Sequence, residues 1–307
     1  MRLCNFRPLG SNEPLQAGML LGSRVMPLAT SLGPGPLGPT RLHDALDASA
    51  HARLGSGQAL ALDRVELGPP VCPVPSFRDF YAFEEHVKTA RAKRGLQMVP
   101  EWYELPAFYF SNPTVMLGHR QRLLAPAHGQ WLDYELELGC VIGRAGRDIT
   151  QEQAPQHIAG YTILNDWSLR DVQRKEMQVG LGPAKGKDFA TSIGPFLVTP
   201  DELEDRRTER GYDLELVARV NGRELSRGNW STIHYSFAQM IARASQGVML
   251  YPGDVLGSGT VGTGCILELG PEQAGGWLKP GDVVELEVEW LGVLTTQIVE
   301  PGGVQEP

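Results

Sequence analysis

The sequence predicts an α+β protein, mostly β, folded as an antiparallel or mixed β roll behind a small β-rich N-terminal domain. Three observations lead there. Many apolar runs of strand length are bounded by turn residues, few helical segments lie between them, and a Gly/Pro-rich stretch near residue 70 divides the chain. A doubly wound sheet would instead alternate strand and helix throughout.

Residues 1–70 carry the short runs Met19–Leu21 and Val25–Leu28 and the break SLGPGPLGPT, which read as strands and loops with room for one short helix. GPPVCPVPS, residues 68–76, is stiff and turn-prone and reads as a linker into a main domain of 71–307. From Asp79 to Gly95 the period becomes helical, with Phe80, Phe83, Val87 and Ala90 three or four apart. Beyond it the expected strands are AFYFS, LDYELELGCVIG, AGYTILN, GPFLVT, YDLELVARVNG, GCILELG and DVVELEVEWLG. Helices are expected over SLRDVQRKEM and STIHYSFAQMIARASQ, and YPGD and KPGD mark tight turns just before strands.

Composition narrows the function. With 307 residues, 42% of them hydrophobic, the chain can bury a large core, and a net charge of −8 argues against a nucleic-acid partner. Cys4, Cys72, Cys140 and Cys265 lie far apart with no CxxC spacing, which suits a reduced compartment and makes no case for zinc or a disulfide framework. GMLLGSRVM is too short and mixed for a signal or membrane core, so a soluble cytoplasmic protein with no membrane partner is expected. GLGPAKGKDFAT is not a phosphate loop, because Leu181 stands where the first glycine is needed and Asp188 follows Lys187 in place of Ser or Thr. Neither GxSxG nor HExxH occurs.

Acidic residues then draw attention. Glu135 and Glu137 alternate in LDYELELGCVIG, so in a strand they share a face about 7 Å apart and could reach one hard cation. An exposed acidic strand face would give the same pattern, and Glu285, Glu287 and Glu289 repeat it. Asp166 ends an apolar run just before a helix, where it could serve as a ligand; Asp166 or Ser168 could equally be a plain helix cap, with Ser168 and Asp171 forming a capping box. Asp79 and His86, seven apart on the expected helix, would share a face about 10.5 Å apart along its axis. A histidine among Glu84, Glu85 and Lys88 also suits a solvated surface.

In order along the chain, DFYAFEEHV, LPAFYF, LDYELELGCVIGR, NDWSLRDVQ, GPAKGKDFATSIGPFLV, SGTVG, ILEL and KPGDVVELEVEWLG resemble the fumarylacetoacetate hydrolase superfamily over roughly residues 75–300. MRLCNFRPLG and GMLLGSRVMPL resemble the small domain that precedes its catalytic domain. The resemblance implies that family's mixed β-roll, a metal-dependent catalytic domain at 71–307 and a homodimer. It also implies a divalent cation, magnesium or calcium with manganese as a further candidate, on Asp79, Glu135, Glu137 and Asp166. Lys187 and Thr191 match the stretch beside that metal, where the lysine meets substrate oxygens. His86 matches the base that activates water, Glu268 its orienting partner, and Tyr81, Tyr109, Gln173 and Thr260 the substrate contacts. Arg91 or Arg94 would supply a lid arginine. Met177 departs from the pattern, standing where fumarylacetoacetases place a substrate-contacting tyrosine.

The implied reaction is hydrolysis of a carbon–carbon bond in a small diketo or 2-oxo acid, such as an acylpyruvate. The cation and Lys187 would spread the enolate charge while His86 takes a proton from water. A 2-oxo acid decarboxylase or an enol–keto isomerase would use the same parts. A catalytically silent, cation-stabilised binding protein is the reading from another class, and it would have no need of His86, Glu268 and Lys187.

Overall fold

A computed structural model describes residues 1–29, 35–47, 55 and 57–301. Short β-branched and aromatic runs punctuated by glycine and proline pair across long sequence distances. Among the described residues they form one twelve-stranded sheet, a five-stranded one and two short two-stranded pairs, Leu132–Asp133 with Ser168–Leu169 and Gly146–Arg147 with Met249–Leu250. The long sheet begins with Leu60–Ala61, Arg24–Pro27, Gln16–Leu21 and Arg2–Pro8 and continues through Thr191–Val198 and Ile158–Asp166. It ends with Leu136–Ile142, Val255–Gly257, Phe77–Phe80 and Phe108–Ser111. Val65–Gly68 pairs with Arg2–Pro8, and Met116–Leu117 with Thr191–Val198. The five-stranded sheet runs Arg223–Asn229, Glu215–Val220, Val283–Val288, Gly292–Val299 and Arg122–Leu124.

Most neighbours are antiparallel. Parallel pairing joins Val255–Gly257 to Phe77–Phe80, Met116–Leu117 to Thr191–Val198 and Arg122–Leu124 to Gly292–Val299. The expected mixed, mostly β architecture is therefore the observed one.

Burial explains why the sheets stack. In Val283–Val288 the inward residues Val284, Leu286 and Val288 are buried, in one core cluster with Tyr134, Leu136, Leu138 and Trp167. Each such side chain contributes about 1.5–3 kcal/mol by leaving water. Glu285 and Glu287 point the other way; Glu287 pairs with Arg219 at 2.6 Å, and the Glu289 carboxylate accepts the Glu215 N–H at 3.1 Å. This strand's alternation is that of a half-solvated face. Leu136–Ile142 is buried along its whole length, so the similar alternation there means something different.

The N-terminal strands join the long sheet directly, since Arg2 and Leu3 pair with Val198 and Leu197. Val71 and Val74 are buried in a second cluster with Leu3 and Phe77, so residues 68–76 pack against the sheet and do not form a free tether. A short helix, Pro39–Asp47, begins in the last two residues of the Gly/Pro break, of which 31–34 lie outside the described residues.

Other sequence expectations change as well. The helix begins at Glu84, and Asp79 belongs to the strand Phe77–Phe80, so Asp79 and His86 do not share a helix face. Phe80 fits the helical spacing but packs in the sheet, its ring 5.0 Å from that of Phe108. GCILELG is not a strand: Ile266–Leu269 is a single helical turn, because the Asp133 carboxylate accepts the N–H groups of Ile266 and Leu267 at 2.8 and 3.0 Å. The strand expected over LDYELELGCVIG is interrupted, with Tyr134 and Glu135 between Leu132–Asp133 and Leu136–Ile142. Finally, Ser168 forms no capping box. Its hydroxyl donates to the Asp166 carbonyl, and the helix Arg170–Val179 starts without a side-chain cap.

No helix among the described residues is long and apolar enough to cross a membrane.

Candidate active site

Three neighbouring strands of the long sheet set the floor of the site. Val255–Gly257 lies between Leu136–Ile142, which brings Glu137, and Phe77–Phe80, which brings Asp79. Gly257 pairs directly with Asp79, and a side chain on it would collide with Asp79 Oδ1. Glycine there leaves room for two carboxylates to converge over one strand. Glu135, in the break before the strand, turns the same way: carboxylate oxygens of Asp79, Glu135 and Glu137 all lie within 4.8 Å of one another.

Asp166 comes from the end of Ile158–Asp166, and Lys187 from the turn between the helix Arg170–Val179 and the strand Thr191–Val198. Lys187 Nζ donates to Asp166 Oδ2 at 2.6 Å and also to Glu135, while Tyr109 donates its phenol proton to Asp166. Glu137 accepts the Gly259 N–H at 3.1 Å and the Thr260 hydroxyl at 3.4 Å. Arg170 donates to Asp133 and to Glu135, each at 2.8 Å, and to Gln173 at 3.0 Å.

The charge balance is uneven. Five buried carboxylates (Asp79, Asp133, Glu135, Glu137 and Asp166) face two buried cations, Lys187 and Arg170. Burial pushes Glu135 upward, but Lys187 and Arg170 outweigh it and hold this carboxylate below its usual range. Glu137 and Asp79 go the other way. Burial and the Asp79 charge raise Glu137, and burial and the Asp166 charge raise Asp79, both well above the ordinary carboxylate value. Lys187, despite burial, is held protonated by Asp166 and Glu135.

Two oxygens decide what this cluster could hold. Asp79 Oδ1 and Asp166 Oδ1 are buried without a hydrogen-bond partner, as is Thr191 Oγ1 at the start of Thr191–Val198. Orphaned buried oxygens are costly. A hard divalent cation, taking oxygen ligands only, would fit the donors and offset their excess negative charge. Glu285, Glu287 and Glu289 belong to neither potential metal-holding group found among the described residues.

His86 stands in the first turn of Glu84–Ala92, buried and within electrostatic range of Glu135. Nδ1 lies 2.8 Å from Glu268 Oε2, at an angle short of a well-formed hydrogen bond. Glu268, on the turn Ile266–Leu269, also accepts the Thr263 N–H at 3.2 Å and faces the Cys265 thiol at 3.5 Å. The Tyr81 ring meets His86 edge-on with centroids 5.3 Å apart, and burial pushes its phenol up to about 12. Of the two arginines beyond the histidine, Arg91 donates to the Gln97 carbonyl at 2.6 Å and Arg94 to the Ala90 carbonyl at 3.1 Å. Met177 is 41% exposed.

The structure thus draws Asp79, Glu135, Glu137, Asp166, Lys187, Tyr109 and Thr260 into one connected cluster, with His86, Glu268 and Tyr81 beside it. Gln173 joins through Arg170. Sequence reasoning missed Arg170, Asp133 and Cys265. Asp133 had a signal, since it precedes Glu135 and Glu137 at the same two-residue interval. The other two had none, because burial of one arginine or one thiol leaves no periodic trace.

The chain belongs to the fumarylacetoacetate hydrolase family: the model for the fumarylacetoacetate (FAA) hydrolase C-terminal domain matches residues 76–299. It is 34% identical over 196 residues to a 2,4-didehydro-3-deoxy-L-rhamnonate hydrolase of Sphingomonas sp. (strain SKA58), covering 64% of this chain and 65% of that protein. It is likewise 34% identical over 196 residues to a mitochondrial oxaloacetate tautomerase of Homo sapiens, covering 63% and 59%. The matches span less than two thirds of these relatives' length. A 5-carboxymethyl-2-hydroxymuconate delta-isomerase from Mycobacterium smegmatis superposes with a TM-score of 0.70 at 26% identity, over 98% of this chain and 100% of the other. Members of the family include hydrolases, tautomerases and isomerases, and the relatives of this chain are enzymes.

Proposed function

We propose that the protein is a divalent-cation-dependent hydrolase that cleaves a carbon–carbon bond in a small diketo or 2-oxo acid, an acylpyruvate or a relative of fumarylacetoacetate. One observation carries this reading. A buried His86–Glu268 pair stands beside a buried cluster of four converging carboxylates and a lysine. Asp79, Glu135, Glu137 and Asp166 would hold the cation, magnesium or calcium. When bound, it would supply Lewis-acid polarisation of adjacent substrate oxygens.

The rest falls to the chain's own side chains. With Nδ1 turned to Glu268, His86 keeps Nε2 free to take a proton from water attacking a carbonyl carbon. Glu268 stabilises the imidazolium that results. Lys187, held protonated, offers positive charge where the departing carbon becomes an enolate. Arg170, bonded to both Glu135 and Gln173, holds Gln173 beside the carboxylates, and the Tyr81 ring packs edge-on against the imidazole. Two such protomers would form a homodimer.

The names of two relatives support a second reading, an enol–keto isomerase or tautomerase, with a decarboxylase as a further variant. There His86 would move a proton on carbon or oxygen without admitting water. Acylpyruvates, fumarylacetoacetate-like diketo acids, oxaloacetate and hydroxymuconate-type acids should be offered with and without magnesium, and products counted. Two acid fragments per turnover are expected. An isomer alone, or carbon dioxide, would replace hydrolysis with the alternatives; inertness toward all four classes would favour a catalytically silent protein.

A further inference from the structure

Cys265 has no task in that mechanism, yet it sits among groups that do. Its Sγ is 3.5 Å from Glu268 Oε2, and that oxygen is 2.8 Å from His86 Nδ1. Sulfur, nitrogen and oxygen all lie within 4.8 Å of one another, and all three residues are buried. His86 Nδ1 is enclosed without a well-formed hydrogen bond, so its orientation toward this corner is not consumed by another partner.

We propose that His86, Cys265 and Glu268 form a second metal site, for a thiolate-seeking divalent ion such as zinc, whose occupation withdraws His86 from catalysis. The inhibition, though not the binding, rests on the function proposed above. The donor set separates the two sites. The carboxylate cluster offers only oxygen and suits a hard cation, whereas imidazole, thiolate and carboxylate together suit zinc. Bonds of about 2.0–2.3 Å in a tetrahedron put ligand atoms roughly 3.3–3.8 Å apart, so small side-chain adjustments would close the set. Water takes the fourth position.

Protons account for the effect. Binding replaces the thiol proton of Cys265, which leaves to solvent. Ligation through His86 Nδ1 requires its lone pair, so in the neutral imidazole the remaining proton resides on Nε2. That nitrogen is the one that must accept a proton from water. The ion therefore blocks the base without touching the carboxylates.

Cobalt(II) reports the site directly, because thiolate ligation gives a charge-transfer band in the near ultraviolet and an all-oxygen site gives none. In enzyme saturated with magnesium, one equivalent of cobalt should produce the band and zinc should abolish it. Cys265→Ser and Cys265→Ala should both lose it, while magnesium calorimetry shows their carboxylate sites intact. Zinc affinity should fall by about a hundredfold in both, and zinc inhibition should weaken in parallel. Absence of the band, or a band that survives both substitutions, overturns the proposal. A Cys265-dependent band in a protein that turns over no oxo acid would leave the site standing and remove the hydrolase reading. Turnover without the band would do the reverse.

Discussion

Met177 lies one turn beyond Gln173 on the helix Arg170–Val179, and its thioether cannot donate the hydrogen bond a tyrosine would. A polar substrate terminus seated there loses a partner, at about 1–3 kcal/mol or roughly ten- to a hundredfold in specificity. At saturating magnesium, kcat/KM should be higher for an acylpyruvate with an apolar tail than for fumarylacetoacetate, and Met177→Tyr should narrow the gap. Preference for fumarylacetoacetate in the wild type, with no gain in the variant, would remove Met177 from the pocket. His86 and Glu137 separate base from ligand. His86→Ala should cut turnover by about 10²-fold or more with magnesium affinity retained, and Glu137→Ala should lose both. Calorimetric titration of the two variants checks this; equal loss of affinity would contradict it. These residues were legible because ordered motifs named them. Arg170 was not, although it donates to two carboxylates of the site, because ion pairing across 35 and 37 residues is a product of folding.

At the scale of elements, strands were easier to read than their interruptions. Apolar alternation located Leu136–Ile142 and Val283–Val288, yet it could not tell a strand buried on both faces from one half in water. Nor could it see that Asp133 would cap Ile266–Leu269 and turn an expected strand into a helix bearing Glu268. Asp79 was assigned to a helix because phenylalanine spacing fitted one, whereas pairing with Gly257 and Tyr109 makes it a strand residue. Gly257 gives this a test. In Gly257→Ala the methyl group occupies the place of Asp79 Oδ1, so magnesium should bind about tenfold or more weakly while circular dichroism keeps the β signature. Unchanged affinity would mean the carboxylate has another seat. A second element, Gly292–Val299, is tied down by His119, whose Nδ1 accepts the Thr295 N–H at 3.2 Å. Burial, helped by Arg120, pushes this imidazole down to about 4. The folded state therefore refuses a proton that the unfolded chain takes near pH 6.5, so stability is full above that value and declines toward pH 4. The loss should be on the order of 2 kcal/mol, seen as a lower urea midpoint at pH 5 than at pH 7.5, and His119→Asn should flatten it. An equal acid loss in the variant would assign the effect elsewhere.

For the molecule as a whole, a cation bound at this site would also stabilise the fold. Carboxylates that crowd without a counter-ion oppose the fold, and a ligand that binds only the folded state adds RT ln(1 + [L]/Kd). Magnesium at a hundred times its Kd should add about 2.7 kcal/mol, or roughly 5 °C in midpoint for a chain of this size. Chelation should reverse it, and Glu137→Ala should show no such shift; a metal response preserved in that variant would place the ion elsewhere. The resemblance carried the overall architecture, and the strands Gln16–Leu21 and Arg24–Pro27 were legible in their own short apolar runs. The hydrogen bonding of Arg2–Pro8 to Thr191–Val198 was not, since strand order in a sheet is written in no local pattern. That pairing has a consequence for biosynthesis. Arg2–Pro8 is synthesised some 190 residues before Thr191–Val198, the strand that pairs with its Arg2–Leu3 end. Until then Gln16–Leu21 can cover one edge and Val65–Gly68 covers the other only over Asn5–Pro8, so the Arg2–Leu3 end waits unpaired on that side. Closure of such a distant contact is slow, so nascent chains released before about residue 198 should be the species that chaperones hold and that aggregate when they are scarce.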